Sequence, residues 1–316
     1  MAKGTTRKTR AATKDKPALK DQSTAKVAVK VSSPNRPKLP SIYKLTKAAF
    51  NTVWNNKRLF LTITIIYGLL NLLLVQGIAG ANDTTTLKSS LDEIFKGQFG
   101  SVASSLSVFA VMLGSAGNSS SQTAGAYQLF LGLITSLALI WALRQTLAGK
   151  KVKAKDSFYK GVYPLIPFIL VLIVVALQLI PFLIGSSLYN LVISNGIAIH
   201  SLEKILWALL FLALATLSFY MLTSSVFALY IVTLPDMTPV KALRSARDLV
   251  KNRRLLVFRK IIGLPVVMLV IAAVIMLPII MVLTPLASWV FFALTMLSVL
   301  AIHAYMYTLY RELLND

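Results

Sequence analysis

The side chains able to give or take a proton near neutral pH are few: His200, His303 and eleven Asp and Glu, with no cysteine to act as thiolate nucleophile or metal ligand. Hydrolysis of a phosphodiester needs such groups gathered, carboxylates beside a histidine or around a metal ion. Here they are scattered. His200 falls in a loop and His303 within a long apolar run, so the spacing implies no ligand pair. Asp92 and Glu93, with Asp83 nearby in the chain, could attract a hard cation, but carboxylates in a polar loop are in the first place a solvated face. No glycine-rich phosphate loop, nucleophile elbow or paired intramembrane Asp occurs. The expectation is a protein without catalytic activity of its own, with no cofactor and no bound metal.

The elements that carry these residues are apolar. A chain of 316 residues that is 56% hydrophobic and 14% charged, with mean hydropathy +0.71, has too little polar surface to cover a water-soluble domain. Six apolar runs are long enough to cross the hydrocarbon of a bilayer, for which about 20 helical residues are needed. They are 59–78, 127–143, 162–188, 205–234, 261–283 and 286–310. Backbone polar groups in lipid must be satisfied within their own segment, so each run is expected to be a helix and the fold class all-α, a polytopic membrane protein with six transmembrane helices. Thr284-Pro285 separates the last two runs as a turn signal. Pro167 and Pro181 bracket the third run, and Pro265 and Pro278 the fifth, which points to two proline-broken spans.

Charge sets the expected orientation. Of the 33 Lys and Arg, only Lys88, Lys96 and Lys204 fall in the connections of one side; the other 30 lie before the first run, in the two loops around 144–160 and 241–260, and at Arg311. The positive-inside rule then puts both termini in the cytoplasm. Trp141, Tyr163, Tyr230, Tyr307 and Tyr310 near the inner ends of their runs, and Trp207 near an outer end, read as interfacial anchors. Residues 1–40, rich in Lys, Arg, Ala, Thr, Ser and Pro, are expected to be a disordered basic tail that enforces orientation or touches anionic lipid. They do not have the form of a cleavable signal peptide. Residues 312–316 form a short cytoplasmic end.

The middle portions of the runs hold no Asp, Glu, Lys or Arg, which weighs against a proton-coupled pump or a protease with an acidic dyad. Their notable polar positions are Asn71, Gln76, Gln178 and His303. Hydrogen bonding between helices is the ordinary role of such residues in lipid; lining a midplane cavity between broken helices is the functional alternative. In the first outer loop, 81–126, the apolar stretch VASSLSVFAVML at 102–113 is too short to span and suggests an interfacial or re-entrant helix.

PDMTPVKALRSARDLVKNRRLLVFRK, from Pro235 to Lys260, carries eight Lys and Arg against two Asp. Thr238 followed by Pro239 is a helix start. Val240, Leu243, Ala246, Leu249 and Val250 are expected on one face and Lys241, Arg244, Asp248 and Lys251 on the other, a basic amphipathic helix at the membrane surface. Together with Arg247, Arg253 and Arg254 these cations are the candidate contacts for anionic headgroups. SIYKLTKAAFNTVWNNKRLF precedes the first run in the same way, with Ile42, Leu45, Ala49 and Val53 at helical spacing and NNKRLF echoing KNRRLL; the shorter KAKDSFYKGVYPLIPF precedes the third. Three repeated units follow, each an elbow helix and a hairpin of two spans, beginning near Ser41, Lys153 and Thr238.

VTLPDMTPVKALRSARDLVKNRRLLVF, through Pro239, Ala242, Leu243, Ser245, Leu249, Lys251, Arg253 and Arg254, resembles the recurring cytoplasmic elbow of the glycerophosphoryl diester phosphodiesterase membrane-domain superfamily, which includes six-span bacterial inner-membrane proteins of the YciC-like type. The resemblance covers roughly 41–311 and implies a fold more than an activity; the basic tail departs from it. Some relatives are fused to a soluble phosphodiesterase domain, and nothing in this chain supplies one. The expected function is a multi-pass membrane scaffold, regulator or lipid-associated partner, the alternative a carrier or channel for a lipid or small molecule. The partners expected are the bilayer, through anionic headgroups at its cytoplasmic face, and another membrane or cytoplasmic protein. Nucleic acid is not expected, because the basic residues form no face on a soluble fold.

Overall fold

The computed structural model describes residues 39–76, 122–198 and 200–315. Eleven helices are described: α1 Ile42–Asn55, α2 Lys57–Asn71 with a π-helical turn Leu72–Gln76, α3 Gln122–Leu147, α4 Ala154–Gly161, α5 Leu165–Leu177, α6 Ile180–Ser194, α7 Ser201–Ser225, α8 Ala228–Ile231, α9 Pro239–Leu249, α10 Arg254–Val282 and α11 Thr284–Asn315. No strand is described. Among the described residues six helical stretches are long and apolar enough to cross a membrane: Lys57–Val75, Ala124–Leu147, Leu165–Ile193, Ser201–Ile231, Arg254–Ile279 and Leu286–Asn315. The protein is an all-α, polytopic membrane protein. The stretches at 1–38 and 77–121, including the acidic loop residues and the apolar run 102–113, lie outside the described residues.

Boundaries differ from hydropathy where helix geometry outruns apolarity. α10 starts at Arg254, a turn or two before the fifth apolar run, because nothing in RLLVFRK breaks a helix and the charged side chains can reach sideways to water. α11 continues beyond the sixth run to Asn315 for the same reason. The two proline pairs behave differently. The third span is interrupted at Gln178 and Leu179, where α5 stops and α6 restarts with Pro181 in its first turn. The fifth is one uninterrupted helix through both Pro265 and Pro278, so the expected break there is absent. In the third span the amide of Phe182 is held by Ser218 Oγ on α7 at 2.9 Å, a partner outside its own helix that stabilises the restart.

The elbows begin where the sequence repeat places them. Ser41, Lys153 and Thr238 are the N-cap residues of α1, α4 and α9. Ser41 Oγ accepts from the Lys44 amide at 3.3 Å, and Thr238 Oγ1 accepts from the Lys241 amide at 3.4 Å, equivalent caps on equivalent turns. Each elbow buries a pair one turn apart: Leu45 and Ala49 on α1, Ser157 and Gly161 on α4, Ala242 and Ala246 on α9. α4 is shorter than the others, as KAKDSFYKG implies.

Each elbow rests on the hairpin before its own. α4 packs on α2 and α3, the first hairpin, and α9 packs on α5, α7 and α8, the second. α1 precedes every described hairpin and packs on α10 and α11, the third. The hairpins touch in turn, α3 against α5, α7 against α10, and α11 against α2 and α3. The result is a closed ring of three units. Its principal core, from Leu45 and Phe60 through Leu143, Phe227 and Val257 to Tyr310, lies in the half of the bundle nearest the elbows; a smaller cluster of Tyr67, Val75, Ala124, Leu131 and Met296 lies further along the spans.

Candidate functional site

Two groups of residues stand out: the basic face of α9 and a polar chain buried among the spans. α9 is fixed at both ends by local chemistry. The Thr238 cap and Pro239 start it, Asp236 and Asn252 adopt left-handed backbone on either side with φ of 58° and 69°, and the Val250 amide closes the last turn on the Ala246 carbonyl. The buried side is Ala242, Ala246 and Val250, with Leu243 and Leu249 half-buried against the core. Val240, expected on that face, is exposed. The reason is close approach: two alanines let the helix axis come down onto α5 and α8, which turns Val240 away.

Lys241, Arg244, Arg247 and Lys251 are all exposed on the opposite side. Among the described residues none of these four is in an ion pair. Arg253 and Arg254 are partly covered; the Arg254 guanidinium lies over the Tyr220 ring, 4.2 Å from its centroid, and so is tied to the end of α7 rather than presented with the other four. Of the six cations read from the sequence, four therefore form one solvent-facing group.

The second group is centred on His303. His303 on α11 has both ring nitrogens engaged: Nε2 with Ser136 Oγ of α3 at 2.9 Å, and Nδ1 with the Tyr230 hydroxyl of α8 at 3.3 Å. Either hydroxyl can donate or accept, so the chain is satisfied in either imidazole tautomer. Tyr230, Tyr307, Tyr310 and Phe227 stack around it with centroid separations between 5.8 and 6.5 Å. Tyr230, Tyr307 and Tyr310 are thus core residues and not the interfacial anchors their positions suggested. Beside them Arg144 Nη1 donates to the Thr233 carbonyl at 2.7 Å, a cation on a carbonyl just past the C-terminal end of α8. Ser136 belongs to the first hairpin, Tyr230 to the second and His303 to the third, so one hydrogen-bonded chain joins all three units.

The other intramembrane polar residues do not join it. Asn71 is buried at the junction with the π-helical turn and donates to its own helix, to the Tyr67 carbonyl at 3.5 Å, not across an interface. Gln178 sits in the break of the third span, and its buried Oε1 has no hydrogen-bond partner among the described residues. The side chain of Gln76 lies outside the described residues. His200 caps α7 in a reciprocal bond with Glu203 and is exposed. Among the described residues no three His, Asp or Glu gather where they could hold a metal ion.

No protein-family model matches the chain, and no curated protein or solved structure matches it.

Proposed function

We propose that this is a non-catalytic protein of a bacterial cytoplasmic membrane, with both termini inside, that serves as a scaffold, regulator or lipid-associated partner and holds anionic headgroups on α9. The observation that carries the reading is the division of α9: Ala242, Ala246 and Val250 are sealed against the bundle, while Lys241, Arg244, Arg247 and Lys251 are exposed together at the end of the bundle where the elbows lie. Each such cation near an anionic surface is worth about 1 kcal/mol. The resemblance of VKALRSARDLVKNRR to the elbow of the phosphodiesterase membrane-domain superfamily agrees with a membrane-embedded role and adds no activity. The test is lipid association of purified protein in nanodiscs containing either neutral lipid alone or added anionic lipid. Changing all four cations to Gln should remove the preference for anionic lipid, and any one change should remove only part of it; an unaltered preference in the fourfold variant would refute the proposal.

A second reading, a carrier or channel for a lipid or small molecule, draws on one observation, the interrupted third span with Gln178 Oε1 buried at its break and unpartnered among the described residues. Solute- or lipid-dependent transfer across liposomes by the purified protein, lost in Gln178→Leu, would favour it. Release of product from glycerophosphodiesters in the presence of divalent metals would refute the non-catalytic proposal.

A further inference from the structure

We infer that the outer face of α1 is a second lipid-contacting surface, chemically unlike that of α9, which inserts Tyr43, Phe50 and Trp54 into the interfacial layer of the bilayer whatever its headgroup charge. α1 is seated by Leu45 and Ala49 on α10 and α11, with Ile42 against Gly263. The seat is specific: a Cβ on Gly263 would stand 2.5 Å from Ile42 Cδ1, and Lys260 Nζ donates to the Pro40 carbonyl at the start of the helix. With that side occupied, the stripe Tyr43, Lys47, Phe50, Trp54 points outward at i, i+4, i+7 and i+11. Tyr43 is 74% exposed, Phe50 and Trp54 59% each. The Phe50 and Trp54 rings stack at 5.5 Å and 23°, forming one flat apolar slab, and the Lys57 ammonium lies 5.2 Å from the indole centroid.

Water is a poor occupant for three large aromatic rings on one stripe. The bilayer interface is the occupant that fits, for two reasons. The chain passes from α1 through Asn56 directly into the span that begins at Lys57, which places the helix at the depth where a span leaves the hydrocarbon. The stripe also leads on to Leu61, Ile65 and Leu69, the exposed side of that span. Tyr and Trp, with Lys side chains reaching outward past them, are the residue types that favour this layer. α9 differs: its exposed face is cationic, and only Val240 is large and apolar there. The inference therefore rests on the membrane placement of the spans and not on the affinity of α9 for anionic lipid.

The test uses Trp54 as the single indole, with Trp141, Trp207 and Trp289 changed to Phe, reconstituted in neutral phosphatidylcholine with and without anionic lipid. Lipid brominated near the headgroup end of its acyl chains should quench most of the Trp54 emission, aqueous iodide should quench little, and the two membranes should give the same result. Strong iodide quenching with no lipid quenching would overturn the inference in favour of an exposed surface. Protection from both quenchers, with a dimer by native mass, would overturn it in favour of a second copy of the chain. If the triple Phe variant does not fold, Phe50→Cys carrying a polarity-sensitive dye reports the same contrast in a chain that has no other cysteine: a water-like emission that is unmoved by brominated lipid overturns the inference. Failure of the α9 reading would show separately, as α9 binding that ignores anionic lipid while Trp54 stays embedded.

Discussion

His303 shows how much a single side chain can be asked to join. Its replacement by Ala leaves the Ser136 and Tyr230 hydroxyls without their shared partner, and a buried group so stranded costs about 1–3 kcal/mol. We expect a lower thermal midpoint for His303→Ala in detergent, a smaller decrease for Tyr230→Phe, and a double variant less destabilised than the sum; full additivity would mean the two residues are not coupled. Gly161 gives a sharper case. A Cβ there meets Ala138 Cα and the Leu137 carbonyl at 3.0 Å, backbone that cannot rotate away, so Gly161→Ala must lift α4 from α3 and cost about 1–3 kcal/mol of overpacking. Gly132→Ala, with nothing within 4 Å of the added methyl, should be neutral or slightly stabilising in the same melt. The sequence marked His303 because an imidazole in an apolar run is conspicuous. It could not mark Ser136, which is 167 positions away and of a type common in spans. Tyr230, Tyr307 and Tyr310 were misplaced because hydropathy locates a residue along a helix axis and not around it.

The elbow helices were legible at their starts and illegible in their seating. Caps are local: Ser41 and Thr238 announce themselves by a hydroxyl three residues before the amide it receives. The face that packs is decided by a neighbour far along the chain, and alanine, which marks the closest approach on α9, is the residue a hydropathy pattern weighs least. This yields a pair of substitutions with opposite outcomes. Ala246→Leu forces a branched side chain into a fully buried position and should lower stability by about 1–3 kcal/mol, read as a lower melting midpoint. Val240→Gln, which the apolar pattern alone would call damaging, should change the midpoint little, within about 0.5 kcal/mol, because Val240 is exposed. Equal damage from both would mean that α9 is seated by the face the pattern suggests. The prolines teach the same lesson: two similar pairs give one interrupted span, where a serine on α7 receives the Phe182 amide, and one continuous span.

At the scale of the molecule, the number of spans and the three-unit order were readable because both are properties of the one-dimensional pattern. Orientation follows from the charge of the connections. Single cysteines at Ser120 and Ser194 should react with a membrane-impermeant reagent added outside intact cells, and those at Lys153 and Arg247 only after the membrane is opened; the reverse pattern would overturn the inside placement of the elbows. Closure of the ring was not readable, because α1 joins the third hairpin, the most distant in sequence. That closure governs how the protein is born. Spans leave the ribosome in order, so α4 and α9 each emerge onto a hairpin already made, whereas α1 emerges first and its seat, including Gly263 and the Tyr305 hydroxyl bonded to the Lys260 carbonyl, is translated last. Until then α1 lacks the hairpin that covers most of its buried side. A nascent chain stalled before the fifth span should therefore be cleaved by protease within α1 while α4 is protected, and release of the full chain should make both resistant.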